Sequence, residues 1–408
     1  MSKSKAPLAG ITVVELGTNA AVPTVTRIMA DWGAEVIKIE NLKGDEWRVS
    51  GKNLVTPVTI DENPIFTMQN ANKKMIALNM KDPDGMDAFK KLIAKADVFI
   101  TNIRMHSLAK MGVDYEALKT INPMLIYCSF NGYGPKGPEA SKAGFDKSAF
   151  WAKSGILMDS AFVEGPPANP ITAFGDFTVA SMFTSGVLAA LLGRDKNGEG
   201  TFVDCSLYGC GIWYAQTGVI ASQECYANEL NAYPKSCNRP LVPLSHFYKC
   251  KDGEWIMISS VDHGKYYPRF CKLLGLEEYL DDERFNTIDN IKKNVAEFSP
   301  IAQAQFMTKT SDEWLKILEE GDFPCQRLTH LKDVTRDPQA WENEYLVNVT
   351  FPSGNTAVLP TLPVKFSNYK VEEYIPTGEI GRDTADVLTG LGYTEEQVKA
   401  YREKGAVK

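Results

Sequence analysis

The sequence has few of the residues that most often bind metal ions, since only four of its 408 residues are histidine. None of them forms an H-E-x-x-H motif, and the eight cysteines include no C-x-x-C pair. Because zinc sites depend on such spacings, we expect no metal site. Scattered thiols in a long chain are typical of a reducing compartment, so the predicted localisation is cytoplasmic.

Further absences exclude whole classes of function. There is no G-x-x-x-x-G-K-[ST] loop for nucleoside triphosphates and no G-x-S-x-G turn of a serine hydrolase. The net charge of −7 gives no electrostatic attraction to nucleic acid or to an anionic membrane. The start of the chain lacks the apolar core of a secretory signal. The most apolar run, residues 177–192, is shorter than the roughly 18 residues that span a bilayer. Neither nucleic acid nor a membrane is therefore an expected partner.

The first part of the chain alternates between short apolar runs and amphipathic segments. Residues 11–16 read as a buried strand, residues 22–32 as a helix and residues 35–40 as a second strand. Strand, helix and strand within about 30 residues form a right-handed unit with parallel strands. The pattern continues with strands at 75–80, 98–101, 125–130 and 202–206 and helices at 83–95 and 114–120. The predicted fold class is α/β, with a Rossmann-like large domain built on a parallel sheet.

A chain of 408 residues is too long for one compact domain. From His246 onward the pattern changes to a strand, an Asp252-Gly253 turn and a second strand, which indicates a hairpin. Helices follow at 264–275, 291–307 and 311–319, so a smaller α+β domain is predicted here. The predicted limits are a large domain at 1–225, a linker at 226–244, the small domain at 245–330, and at 331–408 a return segment with C-terminal helices that completes the large domain.

Asp176 is distinctive because it directly precedes the most apolar helix. Residues 169–176 read NPITAFGD, and residues 177–192 contain no charged side chain. A helix that is apolar on nearly all sides is expected in a core or an interface, and a second apolar helix is predicted at 207–222. The aspartate is either a helix N-cap or a carboxylate nucleophile or base at the edge of a buried site. This stretch by itself leaves both interpretations open.

Other segments offer weaker candidates. Residues 102–112, which include His106, follow the carboxyl end of a strand, where open α/β sheets bind ligands. Residues 132–137 read G-x-G-x-x-G, but prolines stand where a helix should begin, so we interpret them as a loop at the edge of a site. A nicotinamide oxidoreductase is an alternative, because Glu40 stands where dinucleotide folds place a ribose-binding acid. The turn at 17–23 argues against it, since it lacks the glycine fingerprint.

Taken together, the motifs resemble one family over nearly the whole chain. They are VxELGxxxAxP, DWGAEVIKIE, NANKKxIALNMK, the stretch from ADVFITNIR to GYGxxGP, AGFD and GDFTxAxxFxxGxLAAL, in this order. The set resembles the class III CoA-transferases, the group of formyl-CoA transferase and carnitine CoA-transferase. The resemblance implies that Asp176 is the catalytic residue. It also implies contacts with CoA, in which basic side chains suit the phosphates, at Ala20, Ala21, Asn41, Leu78, Lys81, Asn102, Ile103, Arg104, Lys110, Ala143, Gly144, Phe145 and Asp146.

Within this family the chain is most similar to the 2-hydroxyacyl-CoA transferases of amino-acid-fermenting anaerobes. The resemblance implies transfer of CoA from an acyl-CoA donor to a 2-hydroxy acid such as (R)-2-hydroxyisocaproate or (R)-phenyllactate, with no permanently bound cofactor. It further implies an interlocked homodimer and a possible association with a 2-hydroxyacyl-CoA dehydratase. Ala20 stands where formyl-CoA transferase has glutamine, and the glycine-rich loop of that enzyme has no counterpart in the small domain. Both departures argue against an oxalate-type substrate.

The implied mechanism is covalent, through a mixed anhydride between the acyl group and Asp176. Backbone N–H groups after Gly175 and near Gly132 and Gly134 are candidates for holding the oxyanion. A rival with the same fold is α-methylacyl-CoA racemase, whose second acid–base group is a histidine in Gly-His-Asp. Phe145 stands at that histidine's position and cannot carry a proton. A non-catalytic CoA-binding subunit is a further alternative, against which the intact Asp176 argues.

Overall fold

The computed structural model describes residues 5–54, 58–226, 234, 236, 242–260 and 262–408, so most of the predicted linker 226–244 lies outside the described residues. The chain divides into two compact units. The first unit consists of Met1–Ser154, Pro170–Tyr214 and Asp337–Lys408, and the second of Gly155–Asn169 and Ala215–Arg336. The domain limits drawn from the sequence stay a prediction beside this division.

A six-stranded parallel sheet forms the centre of the first unit, as the sequence predicts. Its strands are β1 Thr12–Leu16, β2 Glu35–Glu40, β3 Lys74–Ala77, β4 Val98–Thr101, β5 Ile126–Asn131 and β6 Thr201–Ser206. The strand order is β3-β2-β1-β4-β5-β6, so the direction of winding reverses between β1 and β4. In open α/β sheets, ligands bind outside the carboxyl ends of the strands at such a reversal. This topology places a binding crevice after β1 and β4.

Helices connect these strands and build most of the second unit. They are α1 Ala21–Asp31, α2 Pro64–Asn70, α3 Pro83–Lys95, α4 Met105–Met111, α5 Tyr115–Ile121, α6 Ile156–Asp159, α7 Phe174–Asn197, α8 Leu207–Tyr214, α9 Gln216–Ala221, α10 His263–Leu274, α11 Ile288–Lys293, α12 Val295–Phe306, α13 Ser311–Glu320, α14 Leu331–Val334, α15 Pro338–Glu342, α16 Thr384–Gly390 and α17 Glu395–Glu403. Within the described residues, the one π-helical segment is Asp146–Ala152, which is called the π-turn below.

The remaining strands form two small antiparallel sheets. In the second unit, β7 Ser245–Lys249, β8 Trp255–Ser259 and β9 Cys325–Arg327 form a three-stranded sheet. Its helices pack over an aromatic core in which the rings of Tyr248 and Phe306 stack with centroids 4.5 Å apart. In the first unit, β10 Leu346–Thr350 and β11 Thr356–Pro360 form the hairpin of the return segment.

Several predicted elements need correction. Residues 102–112, for which the sequence predicts only a position after a strand, contain helix α4. The helix expected at 207–222 divides into α8 and α9, because Ala215 leaves helical geometry with φ −90° and ψ 9°. The helix expected at 291–307 divides into α11 and α12 at Asn294, whose side-chain amide donates to the carbonyls of Arg284 and Asn290. Asparagine commonly interrupts helices in this way because its side chain competes for backbone hydrogen bonds.

Helix α7 differs most from its prediction. It has 24 residues and by length and composition could cross a bilayer, whereas the apolar run at 177–192 was too short. Such a length is weak support for a membrane span, because α7 packs one face against α1, β5 and β6. That face buries Val179, Phe183 and Val187, while Phe177 and Leu192 are exposed. In this chain alone α7 is therefore buried on one side and not all round.

Candidate active site

A cavity of about 450 Å³ lies in the crevice that the sheet topology provides. Its walls are the segments that follow β1, β4 and β5, the stretch at 140–145, Leu207 and the side chain of Asp176. The carboxyl ends of three neighbouring parallel strands thus converge on one carboxylate. A larger concavity of about 840 Å³, beside the return segment, contains none of the predicted site residues.

Reciprocal hydrogen bonds join the segments after β1 and β4. The backbone N–H of Thr18 donates to Oδ1 of Asn102 at 3.0 Å, and Nδ2 of Asn102 donates to the carbonyl of Thr18 at 2.7 Å. The next residue, Asn19, has a left-handed backbone with φ 62°, and its N–H donates to Asp45 at 3.3 Å. Asp45 is in turn paired with the buried ammonium of Lys38 at 2.9 Å. A buried ion pair therefore supports the wall of the cavity.

The G-x-G-x-x-G segment is a loop at the edge of the cavity, as its prolines indicate. The N–H of Gly134 donates to Oδ1 of Asn131 at 2.5 Å, which bends the chain directly after β5. Gly132 lies against Gly144, because a Cβ at position 132 would stand 2.8 Å from the Cα of Gly144. Two glycines therefore allow the loop after β5 and the stretch at 140–145 to approach each other.

Asp176 is half-buried in the first turn of α7, where it faces the cavity. The residue before the helix, Ala173, has a left-handed φ of 61° and gives no side-chain cap. The cap comes from Asp146 in the π-turn, whose Oδ1 accepts the N–H of Asp176 at 3.1 Å. Burial first, and then the negative charge of Asp146, raise the pKa of Asp176 to about 7. A carboxylate so perturbed in a cleft is typical of a functional group.

The structure brings many of the predicted CoA contacts to the cavity of Asp176. Those that line it are Ala20, Ala21, Asn102, Ile103, Arg104, Ala143, Gly144 and Phe145. Those that lie outside it are Asn41, Leu78, Lys81, Lys110 and Asp146. Leu78 is buried beside Val407, and Asn41 bonds to Gly44 within its own turn. Part of a CoA molecule would lie outside a cavity of about 450 Å³, so CoA contacts stay a prediction for all five of these residues.

Sequence reasoning did not assign several residues of the walls. Thr18, Asn19, Met105, Lys142 and Leu207 line the cavity together with His106, which was only a weak candidate. Thr18, Asn19 and Met105 directly follow or nearly follow a strand end, and this position is a signal that the sequence does contain. Lys142 and Leu207 have no comparable signal, because only the packing of their segments brings them to the cavity.

The oxyanion prediction needs correction for two of its groups. The N–H after Gly175, which is that of Asp176, donates to Asp146, and the N–H of Gly134 donates to Asn131. Both donors are engaged by side chains of this protein. A new charge on the substrate would have to displace those acceptors, so these N–H groups are not available in this arrangement.

The doubly wound sheet and the carboxylate at its reversal point define an α/β enzyme with an acidic group in a cleft. The chain belongs to CoA-transferase family III, whose sequence profile matches residues 8–384. It is 39% identical over 401 residues to (R)-2-hydroxy-4-methylpentanoate CoA-transferase of Clostridioides difficile, with 98% of this chain and 99% of that protein covered. It is 36% identical over 397 residues to cinnamoyl-CoA:phenyllactate CoA-transferase of Clostridium sporogenes, with 96% and 94% covered.

A solved structure has the same fold. The crystal structure of a CAIB/BAIF family protein from Brucella suis matches with a TM-score of 0.79 and 27% identity, covering 95% of this chain and 99% of that one. The predicted resemblance to class III CoA-transferases is thereby confirmed, and the protein is an enzyme with CoA-transferase activity. The transferase prediction is favoured over the racemase of the same fold, since both relatives are transferases.

Proposed function

We propose that this enzyme transfers CoA from an acyl-CoA donor to a 2-hydroxy acid with an apolar side chain, with Asp176 as the nucleophile. The observation that carries the proposal is the position of Asp176 in the cavity at the reversal point of the sheet. The acceptor class is supported by the two relatives named above, which act on a 2-hydroxy-4-methylpentanoate and on phenyllactate.

The chemistry divides into steps in which every group is accounted for. The Asp176 carboxylate attacks the thioester carbonyl, so an aspartyl–acyl anhydride forms and the CoA thiolate leaves. The thiolate then attacks the aspartyl carbonyl, which releases the donor acid and leaves an aspartyl–CoA thioester. The acceptor carboxylate attacks this thioester, which forms a second mixed anhydride with Asp176 and expels the CoA thiolate. The thiolate then attacks the acceptor carbonyl of this anhydride, which forms the new acyl-CoA and frees the Asp176 carboxylate. No permanently bound cofactor enters this scheme, and acyl-CoA is a substrate.

The apolar side chain of the acceptor is proposed to meet Phe145. This ring lines the cavity and is 67% exposed, so contact with an apolar side chain would remove water from its surface. Two aromatic residues of the neighbouring π-turn have other contacts. Phe150 packs beneath Gly175, and the ring of Trp151 lies 5.8 Å from that of Phe174. Phe145 is therefore the aromatic group to which we assign acceptor selectivity.

A competition assay tests the proposed acceptor. The enzyme is given one acyl-CoA and an equimolar mixture of 2-hydroxyisocaproate, phenyllactate, lactate, carnitine and oxalate, and the acyl-CoA products are separated by mass. We expect the first two acids to dominate, because burying an apolar side chain favours them over lactate by about 1–3 kcal/mol. Phe145→Ala should reduce this preference, with Phe162→Ala in the second unit as the control. Equal use of oxalate or carnitine would reject the proposal.

We also propose a homodimer, in which the exposed apolar sides of α7 and α8 are covered. These sides carry Phe177 and Leu192 on α7 and Trp213 on α8, which is 56% exposed. Large exposed apolar patches commonly mark protein–protein interfaces. Light scattering of the purified enzyme should give twice the mass of the chain, and Leu192→Asp should shift the mass toward that of one chain. A monomer of full activity would contradict this proposal.

The wider setting of the enzyme is proposed from the same chemistry. A 2-hydroxyacyl-CoA is the substrate of a dehydratase, so we propose a cytoplasmic role in amino-acid fermentation and possible association with such an enzyme. Co-purification of the tagged transferase from cells that ferment amino acids tests the association, with the Leu192→Asp variant as a comparison. Recovery of the transferase from the membrane fraction would contradict the proposed location.

A further inference from the structure

We propose that Asp146 is a positioning residue for Asp176, which caps the first turn of α7 and places a second carboxylate beside the nucleophile. This role differs from the CoA contact that family resemblance implies for position 146. The inference rests on the proposed role of Asp176 as nucleophile. It has separate support, because Asp146 does not line the cavity and its side chain is directed to the backbone of α7.

The first observation is that α7 begins without a cap of its own. Helix starts usually carry Ser, Thr, Asp or Asn at the residue before the first turn, and this position is Ala173. Its left-handed φ of 61° is unusual for a residue with a Cβ. The acceptor comes instead from Asp146, which lies 30 residues earlier in the chain and is only 6% exposed. A buried carboxylate from another segment thus fixes the N–H of the nucleophile itself.

The second observation is the fit around Gly175. A Cβ at this position would stand 2.3 Å from Oδ1 of Asp146 and 2.5 Å from Cδ1 of Phe150. Both partners belong to the π-turn, so Gly175 is the residue that lets the π-turn pack against the start of α7. Any larger side chain would push the Asp146 carboxylate away from Asp176. The contact between Asp146 and the backbone of Asp176 therefore depends on the absence of a side chain at Gly175.

The third observation is the charge of Asp146. The negative charge of Asp146 disfavours the charged form of Asp176. Burial raises the pKa of Asp146 as well, while the backbone N–H groups of Asp176 and Gly175 and then the charge of Lys147 lower it. Arg104, His106 and Lys142 also line the cavity that Asp176 faces. Even so, the pKa of Asp176 rises to about 7, by burial first and by Asp146 second.

These features have a chemical consequence. A carboxylate with a raised pKa is a stronger base and, once ionised, a better nucleophile toward a thioester. The requirement for ionisation then moves the acidic limit of activity upward. A residue that only caps the helix would have no such effect on the pKa of Asp176, since the effect comes from its charge. Asparagine, which is uncharged, caps a helix about as well as aspartate. The two parts of the role can therefore be separated by one conservative change.

The test compares pH profiles of kcat/KM for acyl-CoA in three variants. Asp146→Asn keeps an acceptor for the Asp176 N–H and removes the charge. Asp146→Ala removes both. Asp114→Asn is the matched control, since Asp114 caps α5 through the N–H of Ala117 and does not line the cavity. If Asp146→Asn does not fold, Asp146→Ser, which offers an uncharged hydroxyl cap, takes its place.

We expect the wild-type profile to fall on the acid side near pH 7. In Asp146→Asn the fall should move to lower pH but stay above the usual carboxyl range, because burial of Asp176 persists. Its kcat at high pH should remain within about tenfold of the wild type, whereas Asp146→Ala should lose about a hundredfold because the nucleophile is misplaced. Asp114→Asn should leave the profile in place.

An unmoved acid limb in Asp146→Asn, or an equal shift in Asp114→Asn, would overturn the inference. This failure is distinct from failure of the proposed function. If Asp176→Asn is inactive while Asp146→Asn has a wild-type profile, Asp176 is the nucleophile and Asp146 is only a cap. If Asp176→Asn is active, the nucleophile has been wrongly assigned and the role of Asp146 falls with it.

Discussion

The backbone N–H of Asp176 donates to Oδ1 of Asp146 at 3.1 Å, so the carboxylate of Asp146 caps the first turn of the helix that carries Asp176. A helix N-terminus stabilises one negative charge through its free N–H groups. Here one of these groups is used by Asp146, and burial keeps both side chains from full hydration. The carboxylate that faces the cavity is therefore the less stabilised of the two, which is the condition for reactivity at neutral pH.

The first prediction concerns Asp176→Asn. Asparagine preserves the shape of the side chain but cannot form an anhydride, so turnover should fall by at least about 10³-fold with the fold intact. Steady-state assays measure the loss, and circular dichroism measures the fold. Retained turnover would mean that Asp176 is not the nucleophile.

A second prediction traps the intermediate in the unchanged enzyme. An aspartyl anhydride or aspartyl–CoA thioester reacts with hydroxylamine, so acyl-CoA and hydroxylamine together should inactivate the enzyme. Mass spectrometry should locate the modification on the peptide that contains Asp176. Hydroxylamine without acyl-CoA serves as the control and should have no effect. A label on another carboxylate would contradict the assignment.

The third prediction follows from the raised pKa of Asp176. Between the usual carboxyl pKa and about 7, the folded protein retains a proton that the unfolded chain has released. The group therefore destabilises the fold progressively as the pH rises through this window and fully above it. Asp176→Asn should raise the free energy of unfolding above pH 7 by about 1 kcal/mol or more, since one pKa unit corresponds to about 1.4 kcal/mol.

Denaturation by urea at a series of pH values tests this prediction. The gain in Asp176→Asn should shrink as the pH falls, because the wild-type carboxyl is then protonated in both states. A gain that is the same at every pH would point to packing and not to charge.

The fourth prediction concerns binding of CoA. Arg104 lines the cavity and directly precedes α4, and Lys110 lies in the last turn of α4. If both contact CoA phosphates, their replacement by alanine should raise KM for acyl-CoA by about tenfold and leave kcat nearly unchanged. Lys119→Ala, at the end of α5 and outside the cavity, is the control. A large fall in kcat at saturating acyl-CoA would assign Arg104 or Lys110 to the chemistry.

The fifth prediction concerns stability. The Lys38 ammonium is fully buried and pairs with Glu15 at 2.7 Å and with Asp45 at 2.9 Å. Lys38→Met leaves buried carboxylates without this partner, so the free energy of unfolding should fall by about 3–5 kcal/mol. Lys74→Met is the control, because Lys74 pairs with Glu35 at the surface and should change stability by less than about 1 kcal/mol. Equal effects in urea denaturation would show that burial of Lys38 is unimportant.

Much of the fold could be predicted because the signals are local. Strands β2 and β4 have the limits that the sequence predicts, Glu35–Glu40 and Val98–Thr101. The division of the helix at 207–222 could not be predicted, because Ala215, where it divides, is a good helix former. The burial of Lys38 in the strand EVIKIE could not be predicted either. The alternation of Lys38 with apolar residues is typical of a strand with one exposed face.

The sequence by itself determined the α/β class, the family and the place of Asp176 after Gly175, because each depends on short motifs of neighbouring residues and on the order of these motifs along the chain. Only the tertiary structure decided which groups surround that carboxylate. Asp146 and Phe150 reach α7 through packing of a segment about 30 residues away, and a Cβ-free Gly175 permits the contact. Burial and the neighbouring charge then set the pKa of Asp176, and both are properties of proximity in space that the order of residues does not contain.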